Sequence, residues 1–386
     1  MICKHFTQCG GCSFQDIPYE QQLLDKQQLT VDLLGKYTDL SNIAFIESSP
    51  DLYYYRNKME YSFGRDKETK KIVCGLHRND QRRAIVDMQE CIIFAKDLAD
   101  LTEVFTEYAN DNDLGYYSTF NHKGFLRYLI IRRSFAEKEL MINIVVTSQG
   151  EMNRETIVER LRSLRLAEKL SSIYLTISDA KSDAAVPEKI ELLWGREYLN
   201  ERVCGLDFKI SPFTFFQVNP PALEKFYPAV RKAAAAKQTD KVLDLYCGVG
   251  TISSVVAPDC DFLWGIEYTE QSVIDAAGNA KKNGINNISF ISGDANKLLQ
   301  ERMHVFKDNI DIIITNPPRS GMTPKAVRRM LEINAPRIVY SSCNVKTLSS
   351  DLELITKHYD LVSVKPFDFF PHTKHFEILT VLQRKG

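Results

Sequence analysis

Long apolar runs are missing from this chain. No stretch of its 386 residues approaches the roughly 20 apolar residues that a membrane-spanning helix needs. The start Met1-Ile2-Cys3-Lys4-His5 has no apolar core of a signal peptide, so the chain reads as cytoplasmic. An excess of one charge is missing as well. With 49 basic against 50 acidic residues, no global field advertises a nucleic-acid partner, which leaves only local patches open. There is no internal repeat and no low-complexity linker. The length fits two or three domains, each large enough for its own core.

Cysteine, by contrast, is plentiful. Nine cysteines of odd count and scattered placement argue against a disulfide framework. Cys3, Cys9 and Cys12 crowd the first dozen residues, and this crowding points to a metal site. Cys74, Cys204, Cys247 and Cys260 read as ordinary small apolar residues.

From about residue 211 the pattern alternates strand and helix. Lys241–Tyr246 is a short buried strand that ends in the glycine turn Cys247-Gly248-Val249-Gly250. A helix over 251–257, a strand over 262–267 and a helix over 270–283 follow, the last stopped by Asn283-Gly284. Strands at 288–291, 310–315 and 337–341 alternate with helices near 295–305, 323–333 and 346–357. Closing strands near 361–369 and 377–383 complete a parallel sheet covered on both faces. Upstream the reading is less regular. Residues 19–36 read as an amphipathic helix with Leu23, Leu24, Leu29, Val31, Leu33 and Leu34 as its apolar set. Strands at 59–63, 72–76, 129–133 and 141–146 surround one helix near 153–166. The expected fold is therefore α/β, with a C-terminal doubly wound Rossmann-like domain over 211–386. An α+β central domain over 41–210 and an N-terminal cysteine segment over 1–40 precede it.

The turn at Gly248 and Gly250 lets the backbone approach a ligand closely. Glu267, at the tip of the next strand, is placed to accept both hydroxyls of a ribose. Asp294, at the third tip, lies where an adenine amino group would sit. This pair suits S-adenosylmethionine at least as well as NAD. The fourth strand ends in Asn316-Pro317-Pro318-Arg319, a rigid turn that presents carbonyls and an amide. Amino-group methyltransferases carry a similar turn, but with an aromatic residue where this chain has Arg319. The fifth strand ends at Cys343, and Glu377 opens the last one. A thiol and a carboxylate at two strand ends suggest covalent catalysis. A free thiol titrates near ~8.5; helix amides after Asn344 and a guanidinium such as Arg319 would lower that value.

These stretches together resemble the RNA uracil-C5 methyltransferase family. The resemblance is carried by Leu243–Thr251, Asn316–Gly321, Ser342–Thr347 and Phe370–Glu377, with Phe215–Asn219 and Tyr55–Lys58 upstream. It implies an enzyme of the RNA (uracil-5-)-methyltransferase class that makes 5-methyluridine with S-adenosylmethionine. Cys343 matches the nucleophile that adds to C6 of uracil, and Glu377 the base that removes the C5 proton. The resemblance further implies Gln217, Tyr246, Thr251, Glu267, Asn316 and Asp294 as cofactor contacts. Two positions depart from the family pattern: Asn316 stands where an Asp is usual, and Val345 where a Pro is usual. Because the target atoms are hidden in a stacked base, the uridine must be flipped out or single-stranded.

Cys3, Cys9 and Cys12 with the distant Cys91 match the family branch that holds a [4Fe-4S] cluster, although zinc accepts the same four sulfurs. A start at the cysteines, without the β-barrel RNA-binding domain of many relatives, resembles the branch acting on 23S rRNA. The T-loop uridine of tRNA is the alternative substrate, and a non-catalytic RNA assembly factor the alternative outside enzymes. RNA contacts are expected at Lys67–Lys71, at Arg78, Arg82 and Arg83, and at Arg127, Arg132 and Arg133 beside Phe125 and Tyr128. The chain is expected to act as a monomer.

Overall fold

A computed structural model describes residues 1–81 and 83–386; Arg82 lies outside the described residues. The chain divides into two compact units. The first comprises Met1–Asp16, Asp51–Glu201 and Ser211–Phe213, and the second Ile17–Pro50, Arg202–Ile210 and Thr214–Gly386. No helix among the described residues is long and apolar enough to cross a membrane.

The first unit is built on a seven-stranded sheet. Its strands are β1 (Lys58–Arg65), β2 (Ile72–His77), β3 (Ile85–Asp87), β4 (Leu126–Ser134), β5 (Glu139–Val146), β6 (Lys169–Ile177) and β7 (Lys189–Gly195), in the order β3-β2-β1-β4-β5-β6-β7. Only β5 and β6 run parallel, and the helix Arg154–Ser163 makes the crossover that a parallel pair requires. β5 is buried along its whole length, as expected of a central strand covered on both faces. The helix Leu98–Asp111 carries no pattern that sequence reading had singled out. It nevertheless packs Leu98, Leu101, Phe105 and Tyr108 into the core of this unit.

The expected RNA contacts on β4 are corrected by burial. Arg127 and Arg132 are 3% and 4% exposed, and Phe125 and Tyr128 are buried too. Arg127 donates to the carbonyls of Ser178, Ala180 and Ser182, while Arg132 Nε donates to the Pro212 carbonyl at 2.9 Å. Arg133 is paired with Glu168. These guanidiniums satisfy backbone oxygens inside the unit, a use of charge and stem that the alternation of a strand does not reveal. Lys67, Lys70 and Lys71 are exposed on the β1–β2 hairpin, and Arg78 is paired with Asp80.

Two further strands, β8 (Leu199–Val203) and β9 (Leu206–Ile210), form a separate two-stranded ribbon. The second unit carries the other seven-stranded sheet: β10 (Lys241–Leu245), β11 (Phe262–Glu267), β12 (Ile288–Ser292), β13 (Ile312–Thr315), β14 (Arg337–Ser342), β15 (Tyr359–Phe367) and β16 (Glu377–Arg384). The order is β12-β11-β10-β13-β14-β16-β15. The strands expected from periodicity are all present within a few residues. The expected all-parallel sheet is corrected at its edge, because β16 runs antiparallel to both β14 and β15. The short link between β15 and β16 has no room for a crossover helix, so the chain must double back. The helix Pro220–Ala234, absent from the elements expected, carries Pro220, Pro221 and Pro228. Two of these prolines occupy its first turn, where no amide hydrogen is needed, and Asn219 caps it by accepting from Ala222 N at 3.2 Å.

The helix Tyr19–Leu34 differs from its expected face. Its buried residues are Gln22, Lys26, Thr30 and Leu34, spaced four apart, whereas Leu24 is half exposed. Leu23, Leu29 and Leu33 pack only partly against the core. The polar stripe has a function in packing. Lys26 Nζ bonds Asp368 Oδ1 at 2.7 Å and the Phe370 carbonyl at 3.3 Å, and Gln22 Oε1 accepts from His372 N at 2.9 Å. The helix thereby anchors the loop that leads into β16.

Breaking a buried pair strands one charge in a poorly solvated place. Lys26→Met is therefore expected to cost about 3–5 kcal/mol in a urea unfolding experiment. Adding Asp368→Leu to it should recover much of that loss. A single substitution costing under about 1 kcal/mol would contradict the anchoring role of this pair.

Candidate active site

In the second unit the strand register determines which side chains meet. Leu245 lies beside Ile266 on one side and Thr315 on the other; Thr315 pairs with Tyr340, and Ser342 with Ile378. The residues just beyond these pairs therefore form one row along a single sheet edge. Read laterally, the row is Glu267, Tyr246, Asn316, Cys343 and Glu377, with Asp294 beyond Glu267. The strand order reverses between β10 and β13, and a ligand crevice belongs at such a switch point. The cleft there is lined by Gln217, Asp244, Tyr246, Gly248, Thr251 and Asn316, among others.

Local chemistry holds this half of the row. Gly250 has φ of 75°, and a Cβ on it would come within 2.8 Å of Phe290, so the turn requires glycine. Glu267 accepts from Gly248 N at 3.1 Å and from Thr269 N at 2.9 Å, which ties its carboxylate to the turn. Asp294 caps the helix Ala295–Glu301, accepting from Lys297 N at 2.9 Å. Neither Glu267 nor Asp294 is part of the cleft lining itself. Thr251 opens the helix Thr251–Val256 and accepts from the buried Tyr227 hydroxyl at 2.9 Å. Burial, followed by the charges of Asp294 and Asp351, pushes the Tyr246 phenol up to about 12.

Asp244 belongs to this cleft, although sequence reading passed over it as part of the strand. It is 1% exposed; Ser253 Oγ donates to its Oδ2 at 2.5 Å, while its Oδ1 has no hydrogen-bond partner among the described residues. Burial pushes its pKa up to about 7, against the Ser253 hydrogen bond. Acidic character at a strand tip was the signal that could have found it.

The other half of the row is held by the turn after β13. Gly321, with φ of 75°, would bring a Cβ to 3.0 Å from Thr347. Asp351 accepts from Met322 N at 3.0 Å and from the Tyr340 hydroxyl at 2.6 Å. Asn344 Nδ2 donates to the Arg319 carbonyl at 3.1 Å. The turn is thus fastened to the helix Val345–Ile355, which sets Arg319 beside Cys343. Asn344 caps that helix, and Val345 is buried at its first position.

Cys343 is partly exposed at the tip of β14. Its thiol is not lowered as expected. Burial and then the charge of Glu377 push it up to about 11, and Arg319 only partly offsets them by charge and hydrogen bond. Glu377 is 1% exposed, and burial raises its carboxyl to about 7, opposed by the Ser341 hydrogen bond and Arg319. Ser341 Oγ donates to Glu377 Oε1 at 2.5 Å.

The site is thus a carboxylate and a thiol on neighbouring strand tips, beside a crevice at the switch point. Comparison with known proteins decides its class: residues 18–385 match the family described as tRNA (uracil-5-)-methyltransferase. The chain belongs to this family. It is 41% identical over 385 residues to an uncharacterized RNA methyltransferase of Caldanaerobacter subterraneus subsp. tengcongensis, covering 99% of this chain and 84% of that protein. A second uncharacterized RNA methyltransferase, of Clostridium tetani, is 39% identical over 386 residues, with the same coverage of each. Among solved structures, the Pyrococcus abyssi tRNA (uracil-54, C5)-methyltransferase in complex with S-adenosyl-L-homocysteine superposes with a TM-score of 0.73. It is 26% identical, covering 97% of this chain and 86% of that one. The protein is an RNA (uracil-5-)-methyltransferase.

In the first unit, Cys3, Cys9, Cys12 and Cys91 are all buried and free of disulfides. Burial pushes the Cys12 thiol up to about 11 and that of Cys91 to about 12, and Cys91 is raised further by charge on Cys12, Cys3 and Cys9. Backbone amides of His5 and Ile92 point at the Cys3 sulfur, and that of Ile93 at Cys91. Among the described residues no three His, Cys, Asp or Glu side chains converge as ligands of one metal ion. A concavity of about 1090 Å³ lies elsewhere in this unit, lined by Asp66, Glu68, Asp87, Glu103, Glu107 and Asp111 together with Lys71 and Arg160, and its acidic excess has the wrong sign for RNA.

The RNA-free protein should keep Cys343 protonated at neutral pH. Its alkylation by iodoacetamide, mapped by mass spectrometry, is expected to rise about tenfold per pH unit between pH 7 and 10. Arg319→Ala should slow it at every pH in that range. A pH-independent rate would contradict the raised thiol.

Proposed function

We propose that the enzyme methylates C5 of one uridine in 23S rRNA, with Cys343 as nucleophile and Glu377 as base. The single observation carrying the chemistry is the placement of these two groups on adjacent tips of β14 and β16. C5 of uracil is a weak nucleophile, and thiolate addition at C6 converts the ring to an enolate that is nucleophilic at C5. The enolate takes the methyl group. Glu377 then removes the C5 proton, and the Cys343 sulfur leaves as C5 and C6 regain their double bond. Gln217, Tyr246, Thr251, Glu267, Asp294 and Asn316 are proposed as the cofactor contacts. Glu267 stands where a ribose would be held, and the open Oδ1 of Asp244 offers an acceptor for the ammonium of the cofactor's methionine part. Asn316 keeps an acceptor oxygen without the charge of the Asp usual there.

The assignment to 23S rRNA rests on the four cysteines, whose spacing resembles the cluster-bearing branch. Four buried thiols with amides aimed at two of them suit an iron–sulfur group. A single zinc ion accepts the same four sulfurs, so the metal itself has to be measured. Cys3, Cys9, Cys12 and Cys91 would hold the [4Fe-4S] group, in a structural or RNA-positioning role, since methyl transfer needs no electron. The reading on the T-loop uridine of tRNA is favoured by a different observation, the likeness to the Pyrococcus tRNA enzyme.

Mapping of 5-methyluridine in total RNA from cells with and without the gene separates these substrates. Loss from 23S rRNA is the expected result, and loss from tRNA would overturn the substrate while keeping the chemistry. Cys343→Ala should lower methyl transfer by at least about a thousandfold. Protein purified without oxygen should hold about four irons per chain, and Cys91→Ser should lose most of them. Stoichiometric zinc in place of iron would refute the cluster.

A further inference from the structure

Glu377 and Ser341 are each 1% exposed, so the carboxyl depends on its neighbours in every charge state. Ser341 Oγ lies 2.5 Å from Glu377 Oε1 and 3.4 Å from Asn316 Oδ1. One hydroxyl has one hydrogen, and it cannot serve both oxygens together. While Glu377 is ionised, that hydrogen belongs on its carboxylate. Once Glu377 carries a proton, the carboxylic O–H can donate to Ser341 Oγ, and the serine hydrogen turns to Asn316 Oδ1. We propose that Ser341, oriented by Asn316, is the positioning residue that satisfies Glu377 in both charge states and so governs proton removal from C5. The inference rests on the reading of Glu377 as the base.

The surroundings explain why such a partner is needed. Arg319 is the cation that opposes burial at Glu377; Cys343 and the buried Tyr227 are the other titratable groups that feel its charge. Both become harder to ionise beside it. An acid at position 316 would add a second negative charge next to Ser341 and compete for its hydrogen. The neutral amide accepts without competing as strongly, because a carboxylate is the better acceptor. In the step itself, the C5–H bond breaks and its proton passes to Glu377. The freed electron pair forms the C5–C6 double bond, and the pair of the breaking S–C6 bond returns to sulfur. No oxidant or further reactant is required.

The test compares wild type, Ser341→Ala and Ser341→Thr as full-length proteins. Each is mixed with target RNA and S-adenosylmethionine and quenched over a time course. Methyl transfer is followed by radiolabel, protein–RNA adduct on denaturing gels, and turnover from about pH 5.5 to 9. Ser341→Ala should transfer the methyl group within about twofold of wild type, yet release the adduct about 10–100-fold more slowly. The acidic limb of its pH profile should move up by about one unit, because the carboxylate has lost a hydrogen bond that favoured its ionised form. Ser341→Thr keeps the hydroxyl and should restore release. Release from Ser341→Ala at the wild-type rate would overturn the proposal. So would an equal loss of methyl transfer and release with no shift of the limb, which marks a purely structural role. Cys343→Ala run alongside keeps the two readings apart: if it still methylates, the covalent mechanism fails whatever Ser341 does.

Discussion

The antiparallel pairing of β16 against β14 is the constraint on which the site depends. Had the last strand run parallel like its neighbours, its N-terminal residue would lie at the opposite edge of the sheet. Because it runs back, Ser342 pairs with Ile378, and the two residues beyond that pair are Cys343 and Glu377. The reversal is enforced by the short return from β15 and by the Lys26–Asp368 pair that pins this return. Backbone hydrogen bonds, not a flexible loop, thus fix the separation of the proposed nucleophile and base. Catalytic geometry on rigid elements tolerates little drift, and a sheet edge supplies that rigidity.

The same sheet divides the chemistry in two. β10, β11 and β12 end at Tyr246, Glu267 and Asp294, on the side where the glycine turn opens the cleft. β13 and β14 end at Asn316 and Cys343, and β16 begins at Glu377. The switch point separates the halves, so a methyl donor seated on one side would face a base held on the other. Burial is the common electrostatic theme. It raises Asp244 and Glu377 to about 7 and Cys343 to about 11, and in each case a short local partner opposes it: Ser253, Ser341 or Arg319. A carboxyl near 7 is well matched to taking a proton at neutral pH, which a solvated glutamate is not.

Much of the second unit was legible because each strand is a short apolar run bounded by a turn signal, and each tip carries a polar residue with a chemical use. Glu267, Asn316, Cys343 and Glu377 could all be found in that way. What escaped was whatever depends on long-range contact. The helix Tyr19–Leu34 buries Gln22, Lys26 and Thr30 beside Leu34 and leaves Leu23, Leu24, Leu29 and Leu33 at least partly exposed, because the partners of Lys26 and Gln22 lie 342 and 350 residues away on the loop before β16. Arg127, Arg132 and Arg133 read as a basic strand edge, yet they serve as internal donors to carbonyls of distant segments. The thiol of Cys343 was expected to be lowered by Arg319; that attraction exists, but burial and Glu377 outweigh it. Local sequence lists the charges near a group, whereas desolvation is a property of the assembled fold.

The covalent step can be tested most directly with RNA whose target uridine is replaced by 5-fluorouridine. After methyl transfer, C5 of that base carries fluorine and methyl and has no proton for Glu377 to remove. The enzyme should therefore stall as a stable protein–RNA complex. Digestion and mass spectrometry should find a methylated fluorouridine on the peptide containing Cys343, dependent on S-adenosylmethionine. Absence of any complex under conditions where ordinary RNA is methylated, or attachment to a residue other than Cys343, would contradict the account.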